Sequence, residues 1–288
     1  MTDQPNWAPA SDRYVERLRE RRAEDPTLDA VVLPPHTFQT DEDRWRFEDA
    51  GVTWGFFDVD KIGPSSVERS RHRFRAHLPE LIWNAAALEG NNFTLPEVKT
   101  LLEGVTVGGK KHEDAQQIIA LSEAYNLLDE MVANGQFSLT KDVSDQLHGL
   151  VAKHEAIKSG SFRGEGRVQG GTVQLASGGI VPGAEHGEGV TLLREHFTHL
   201  VEYLSTVSDA RRRALIYFAS ATRRQFYFDG NKRTARLMMA GELMSNGYDL
   251  VSVPYSRKLE FNNALDVLFD QDDATELLRF LSTCTLPG

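Results

Sequence analysis

The sequence is short of cysteine and of long hydrophobic runs. Its one cysteine, Cys284, excludes an internal disulfide and a metal cage built from several thiolates. No stretch approaches the roughly 18 apolar residues of a membrane-spanning helix, so we expect no membrane partner. The N-terminus also lacks the apolar segment behind a basic end that marks a secretory signal. A cytoplasmic protein is the resulting expectation.

Positive charge is also in the minority. The 288 residues include 32 Lys and Arg against 42 Asp and Glu, which gives a formal net charge of -10. Because a phosphate backbone attracts basic surfaces, this balance argues against nucleic acid as a partner. A local basic cluster can still hold a small phosphorylated ligand. The 40% of hydrophobic residues suffices for a sizeable core in one or two domains.

From about residue 70 onward, apolar residues recur mostly at helical spacing. Thr94 is placed to cap a helix that ends near Gly104. The glycine-rich stretch 160–189 instead predicts a β-hairpin or flap. The fold class is therefore all-α, a helical bundle with one inserted hairpin. The other predicted helices are 77–88, 113–133, 142–154, 190–205, 210–224 and 232–245, with one or two more in 259–281.

The first 70 residues are less regular, and we assign 1–70 to an N-terminal extension and 71–288 to the main domain. A short charged helix is predicted at 13–22. Five aromatic residues of the extension are expected to be packing residues rather than site residues. They are Trp45, Phe47, Trp54, Phe56 and Phe57.

The segment with the most chemistry is a turn between two predicted helices. Asp229, Gly230 and Asn231 form the turn, and Lys232 opens a helix that carries Arg233 and Arg236. Backbone N–H groups at a helix N-terminus bind anions, and Arg grips phosphate with two donors. Asp229 suits Mg²⁺, which takes one or two carboxylates plus phosphate oxygens. The turn fits a nucleotide with Mg²⁺, and the alternative is a capped helix with a solvated basic face.

The run from Asp229 to Arg236, DGNKRTAR, resembles the second half of the signature of Fic-domain (Fido) proteins. Such proteins commonly transfer AMP from ATP to a protein hydroxyl and are helical bundles with a hairpin flap. The resemblance spans roughly residues 75–285 and implies ATP and Mg²⁺ as cofactors. It places Asp229 on the metal and Arg233 and Arg236 on the outer phosphates. Gly230, Asn231 and Lys232 would bind the α- and β-phosphates.

A second resemblance lies upstream, at Ala85 to Gly90. It is similar to the inhibitory-helix motif of this family, in which a glutamate, here Glu89, pairs with the second arginine of the signature, here Arg236. A carboxylate and a phosphate compete for one guanidinium. The sequence departs from the motif at Ala85, where Ser or Thr is usual. The other reading of Glu89 is a surface carboxylate at a helix end.

A third resemblance concerns the glycine-rich region. The run 160–163, followed by Arg167, Val168, Gln169 and Gly170, looks like the flap that pairs with the backbone of a target protein. The resemblance implies an unknown protein target. The alternative is a glycine-rich surface loop. The sequence leaves the oligomeric state open, a homo-oligomer included.

The signature departs from the family at its general base. The family has a histidine where this chain has Gln225, and a glutamine amide cannot accept a proton at neutral pH. No histidine follows His199. The upstream histidines are expected to be surface residues or satisfied core residues rather than a replacement base. They include His148, His154, His186, His196 and His199.

Three functions remain open at this point. The first is a nucleotidyl transferase that works through positioning and electrostatic stabilisation, with Gln225 at best orienting the acceptor. The second is a catalytically inactive relative that binds nucleotide and signals its presence. The third is a helical partner-binding protein with a vestigial site.

Overall fold

A computed structural model describes residues 41–156, 158–165, 172–174 and 180–286. The helix predicted at 13–22 lies outside these ranges. The described helices are α1 (Asp41–Ala50), α2 (Val67–Ala76), α3 (Leu78–Leu88), α4 (Leu95–Leu102), α5 (His112–Ala133), α6 (Lys141–Val151), α7 (Thr191–Thr206), α8 (Ala210–Arg224), α9 (Asn231–Ser245), α10 (Lys258–Gln271) and α11 (Thr275–Leu281). Two short 3₁₀ turns lie at Glu188–Val190 and Tyr255–Arg257.

The predicted hairpin is present between α6 and α7. Strands β1 (Thr172–Gln174) and β2 (Ile180–Pro182) pair antiparallel, with Val173 opposite Val181. The prediction of a helical bundle with one inserted hairpin is thus confirmed. Among the described residues, no helix is both long and apolar enough to cross a membrane.

Helix α9 is the central element of the bundle. It contacts the preceding helix α8, and also α6, α5 and α2. A helix that is covered on all sides has apolar residues around its circumference, and Leu237, Met238, Leu243 and Met244 are all fully buried. The charged residues at the start of α9 are therefore carried into the protein interior, where each needs a partner.

The chain before residue 70 contributes to the same core. Trp54 and Phe57 are buried within it, as predicted, and Phe47 is partly buried. The prediction is wrong for Phe56, whose side chain is 75% exposed. Residues 55–58 have no regular hydrogen-bonded structure, and neighbouring side chains of an extended segment point to opposite sides. The side chain of Trp45 lies outside the description.

Helix α3, which carries the inhibitory-type motif, is held within its second half and just beyond its C-terminal end. The Asn84 side-chain oxygen accepts a hydrogen bond from the Tyr255 backbone amide at 2.8 Å. After the helix, the Asn91 side-chain amide donates to the Asp114 backbone carbonyl at 2.9 Å and to the Gln117 side-chain oxygen at 2.8 Å. These contacts fix the position of the helix end without a hydroxyl at residue 85.

Candidate functional site

The turn before α9 depends on a glycine. Gly230 has a φ of +74°, in the left-handed region, and a Cβ there would lie 3.2 Å from the Ala152 Cβ. The amide of Gly230 donates to the Asp229 carboxylate at 2.5 Å. The turn therefore packs tightly against the end of α6, and the Asp229 side chain, 53% exposed, lies at the surface.

Asn231 fixes the shape of the loop that leads into the turn. Its side-chain oxygen accepts from the Tyr227 amide at 2.8 Å, and its nitrogen donates to the Tyr227 carbonyl at 2.8 Å. The same nitrogen donates to the Gln225 side chain at 3.0 Å. Asn231 is only 7% exposed, so its amide holds the loop together from inside.

Gln225 ends α8 in a left-handed conformation, with a φ of 53°. Its side-chain nitrogen donates to the Thr222 carbonyl at 2.6 Å, while its oxygen accepts from Asn231. The residue is 8% exposed. Both ends of the amide therefore make internal hydrogen bonds at the position where the resemblance expects a base.

Arg233 pairs with a carboxylate that the sequence analysis missed. Its two terminal nitrogens lie 2.7 and 2.5 Å from the two oxygens of Glu155, a two-pronged contact, and one lies 3.3 Å from Asp229. Arg233 is 4% exposed, and Glu155 also accepts from Gln117 at 2.9 Å. Burial alone would lower the pKa of Arg233, but Glu155 outweighs it and raises that pKa.

Arg236 and Lys232 converge on Glu89. The Glu89 carboxylate lies 3.3 Å from Arg236 Nη1 and 3.1 Å from Lys232 Nζ. Burial alone would raise the pKa of Glu89, but Lys232 and Arg236 outweigh it and lower that pKa from 4.5 to about 2. The carboxylate is therefore ionised at neutral pH, and it lies across the N-terminal region of α9.

Only one of the three guanidinium nitrogens of Arg236 takes part in this ion pair. Arg236 is 8% exposed, and its Nε and Nη2 are buried without a hydrogen-bond partner among the described residues. The guanidinium carbon lies 5.3 Å from the centre of the Phe261 ring. A buried guanidinium with two unsatisfied nitrogens is costly unless an anion can reach it.

Sequence comparison finds relatives that are named protein adenylyltransferase Fic. Over 209 residues, the chain is 28% identical to the protein adenylyltransferase Fic of Drosophila erecta and 29% identical to that of Drosophila yakuba. Each match covers 71% of this chain and 39% of the relative, so the chain spans about two-fifths of the length of the relatives it matches. No protein-family model matches the chain.

Solved structures decide the fold. A Fic domain containing signaling protein from Bacteroides thetaiotaomicron matches with a TM-score of 0.62 at 21% identity, over 78% of this chain and 88% of that one. Fic-1 from C. elegans matches with a TM-score of 0.61 at 20% identity, over 98% of this chain and 74% of that one. This chain has the Fic-domain fold. The similarity to the Drosophila proteins in turn supports a relationship of this chain to the Fic-domain family.

Within this Fic fold, the predicted phosphate and inhibitory residues lie together. Asp229, Gly230, Lys232 and Arg236 are grouped at the start of α9, and Glu89 reaches them from α3. Their assignment to phosphate, metal and inhibition stays a prediction. The flap residues 167–170 lie outside the described residues, so their role is also still a prediction.

A magnesium ion fits the donors that this turn offers. Asp229 presents an exposed carboxylate, and Mg²⁺ is usually held by one or two carboxylates plus phosphate oxygens and water. Within the described ranges, no cluster of three His, Cys, Asp or Glu is arranged to hold a metal by itself. Phosphate oxygens and water would supply the remaining ligands of a metal at this turn.

The base of the hairpin is tied to the loop before the turn. The amide of Arg163 donates to the Phe226 carbonyl at 2.8 Å. Its guanidinium donates to the carbonyls of Gln225 and Ala184, the latter at 2.5 Å. The Gly-Ser-Phe-Arg run that resembled the flap region thus holds the end of α8 and the chain after β2 together.

Two residues beneath the turn escaped the sequence analysis as site residues. Glu155 lies 78 positions from Arg233, and no spacing rule connects them. His148 was expected to be a surface or satisfied histidine, and it is fully buried with both ring nitrogens bonded to backbone groups. The two residues are seven positions apart, His148 on α6 and Glu155 in the turns that follow it, so no shared helix face marked them as a pair.

Proposed function

We propose that this chain binds ATP with Mg²⁺ and is an adenylyltransferase of the Fic type. It would transfer AMP from ATP to a hydroxyl of a target protein. In this proposal, Glu89 inhibits the site, and Gln225 slows the transfer because it replaces the general base. The relatives' name, protein adenylyltransferase Fic, supports the reaction type. The Fic-domain fold and the turn at Asp229 support the ligand.

The observation that carries the proposal is the state of Arg236. A guanidinium that is 8% exposed keeps two nitrogens without a partner among the described residues, while the third lies 3.3 Å from a carboxylate. A purely structural arginine in a core would have these donors satisfied. A phosphate with several acceptor oxygens would satisfy them, and it would displace Glu89.

The rest of the turn would hold the remaining phosphates. The N-terminus of α9 presents backbone N–H groups and a favourable dipole to an anion. Lys232 is 30% exposed and can move from Glu89 to a phosphate. Asp229 would hold Mg²⁺, which neutralises phosphate charge when it is bound. Arg233 stays with Glu155 in this scheme and supports Asp229 from behind.

In the transfer itself, the acceptor hydroxyl oxygen bonds to the α-phosphorus of ATP. The bond between the α-phosphorus and the bridging oxygen of the β-phosphate breaks, and pyrophosphate leaves. The hydroxyl proton must go to a base. The Gln225 amide cannot take it, so the proton has to leave to water or to the phosphates, and loss of a general base costs about 10²–10⁴ in rate.

The flap would present the target. β2 has Ile180 71% exposed, and the two strands form a sheet of their own within the described residues. An extended segment of a target protein can add to such an edge through backbone hydrogen bonds, which tolerate sequence change. The flap therefore accounts for a protein substrate without specifying which protein.

A second candidate function is an inactive nucleotide-binding protein that signals the presence of ATP. The observation in its favour is the Gln225 side chain, both ends of which are bonded to Thr222 and Asn231. A glutamine that is used in this way does not orient an acceptor hydroxyl. Nucleotide binding at Arg236 is common to both candidates, and the transfer step separates them.

The test is label transfer from ATP labelled at the α-phosphate, with Mg²⁺ and a lysate of protein targets. Glu89→Gly and the double variant Glu89→Gly/Gln225→His are compared, with Asp229→Asn added to the double variant as a control. The adenylyltransferase proposal predicts weak label from the first and at least about tenfold more from the second, because a base is restored. The control should lose the label.

The outcomes separate the candidates. Label from the histidine variant alone favours the inactive nucleotide-binding protein. Label from neither variant, together with no ATP binding by Glu89→Gly, would contradict both candidates and return the site to a structural role.

A further inference from the structure

The Asp229–Gly230 turn is supported from below by one buried histidine. The His148 ring is 0% exposed, and its Nε2 lies 2.8 Å from the Asp229 carbonyl oxygen. Its Nδ1 accepts a hydrogen bond from the Gly160 amide at 2.8 Å. Because Nδ1 accepts, the ring proton is on Nε2, which donates to Asp229, and the imidazole is neutral.

The ring is also fixed in orientation. It stacks on Tyr227 with 3.7 Å between ring centres and 9° between ring planes. The Tyr227 hydroxyl contacts Ser144 Oγ at 2.7 Å and donates to Asp145 at 2.8 Å. Ser144, Asp145 and His148 are all on α6, so one face of this helix supports the loop from Tyr227 to the turn.

The contact with the Asp229 carbonyl has consequences for the ligand side of the turn. The carbonyl and the Gly230 N–H belong to one planar peptide unit, so a bond to the oxygen sets the direction of the N–H. That N–H in turn holds the Asp229 carboxylate at 2.5 Å. One hydrogen bond from His148 therefore orients both the first amide of the turn and the proposed metal ligand.

We propose that His148 is a positioning residue for the nucleotide, because it orients the Asp229–Gly230 peptide and the Asp229 carboxylate toward the phosphates and Mg²⁺. This inference rests on the proposed function. It adds a residue from α6 to a site that the motif alone confines to the start of α9. The same ring also joins Gly160, at the start of the glycine-rich segment, to the turn.

The experiment measures ATP affinity in the presence of Mg²⁺ by titration calorimetry, in the Glu89→Gly protein. His148→Leu removes both hydrogen bonds, and His148→Gln restores a donor and an acceptor. Ser144→Ala is the matched control, because it removes a buried hydrogen bond of the same helix face but leaves the Asp229 carbonyl untouched. Thermal unfolding is recorded for every variant.

We expect His148→Leu to weaken ATP binding at least about tenfold and His148→Gln to recover most of the loss, as for a buried hydrogen bond that aligns charged ligands. Ser144→Ala should lower the unfolding temperature and leave the affinity within about twofold of the parent. If His148→Leu does not fold, the imidazole NMR signals of the Glu89→Gly protein test the inference instead, since ATP should shift the signal of His148 Nε2–H.

Three results would overturn the inference. His148→Leu could bind ATP as the parent does, Ser144→Ala could weaken ATP binding as much as His148→Leu, or the His148 signals could be unmoved by ATP. Failure of the parent itself to bind ATP overturns the proposed function first and this inference with it.

Discussion

The Glu155–Arg233 pair allows a stability prediction with a worked magnitude. In Glu155→Gln, Arg233, which is 4% exposed, loses its nearest charged partner and keeps the 3.3 Å contact with the Asp229 carboxylate. Removing one partner of a fully buried pair costs ~3–5 kcal/mol. Because Glu155 is 25% exposed, water reaches the pair, and we expect a loss of about 2–3 kcal/mol in the free energy of unfolding.

Urea unfolding at neutral pH measures this loss, and Glu123→Gln is the matched control. Glu123 pairs with Lys153 at 2.7 Å, but both side chains are more than a third exposed. Exposed pairs contribute ~0–1 kcal/mol, so the control should change little. Equal losses in the two variants would refute the reasoning that burial makes Arg233 depend on Glu155.

Three further predictions concern the Glu89 contacts and the turn. The Glu89 carboxylate has a pKa of about 2 instead of 4.5, so its ion pairs stabilise the fold above pH 4.5 and lose that contribution as the pH falls toward 2. Urea unfolding of the parent and Glu89→Gln should therefore differ most at neutral pH and converge near pH 2. Asn91→Ala removes the two hydrogen bonds that hold the end of α3. By calorimetry, it should tighten ATP binding a few-fold, but only in a protein that keeps Glu89. An equal gain in the Glu89→Gln background would contradict this. Gly230→Ala strains a φ of +74° and should cost about 1–3 kcal/mol in urea unfolding, and no loss would show that the turn relaxes.

Local patterns predicted most of the helices. Ala210–Arg224 was predicted with the bounds observed. The start of the helix after Thr94 was predicted from Thr94 as its cap, and the structure forms a capping box there with Glu97. The segment 142–154 was predicted too long, since α6 ends at Val151 and the chain continues in turns. Helix ends depend on the packing that follows, and here the turn at Gly230 contacts the end of α6.

The candidate site was predictable where a motif marked its residues. The turn at Asp229 and the pairing of Glu89 with Arg236 followed from motifs whose residues act together. Arg233 was assigned to a phosphate through the family resemblance, and that assignment stays a prediction, whereas its pairing with Glu155 was not foreseen. Such a pairing, like the contact of His148 with Asp229, is set by tertiary packing between distant segments and leaves no local pattern.

The central claim is that Glu89 occupies the place of a nucleotide phosphate on Arg236. The most direct test is the affinity for ATP with Mg²⁺, measured by calorimetry for the parent, Glu89→Gln and Glu97→Gln. Glu97 is the control because its carboxylate pairs with Lys110 at 2.8 Å instead. A charged hydrogen bond contributes ~1.5–3 kcal/mol, so Glu89→Gln should bind ATP about tenfold more tightly or better, with Glu97→Gln unchanged. Equal affinities for the parent and Glu89→Gln would contradict the claim.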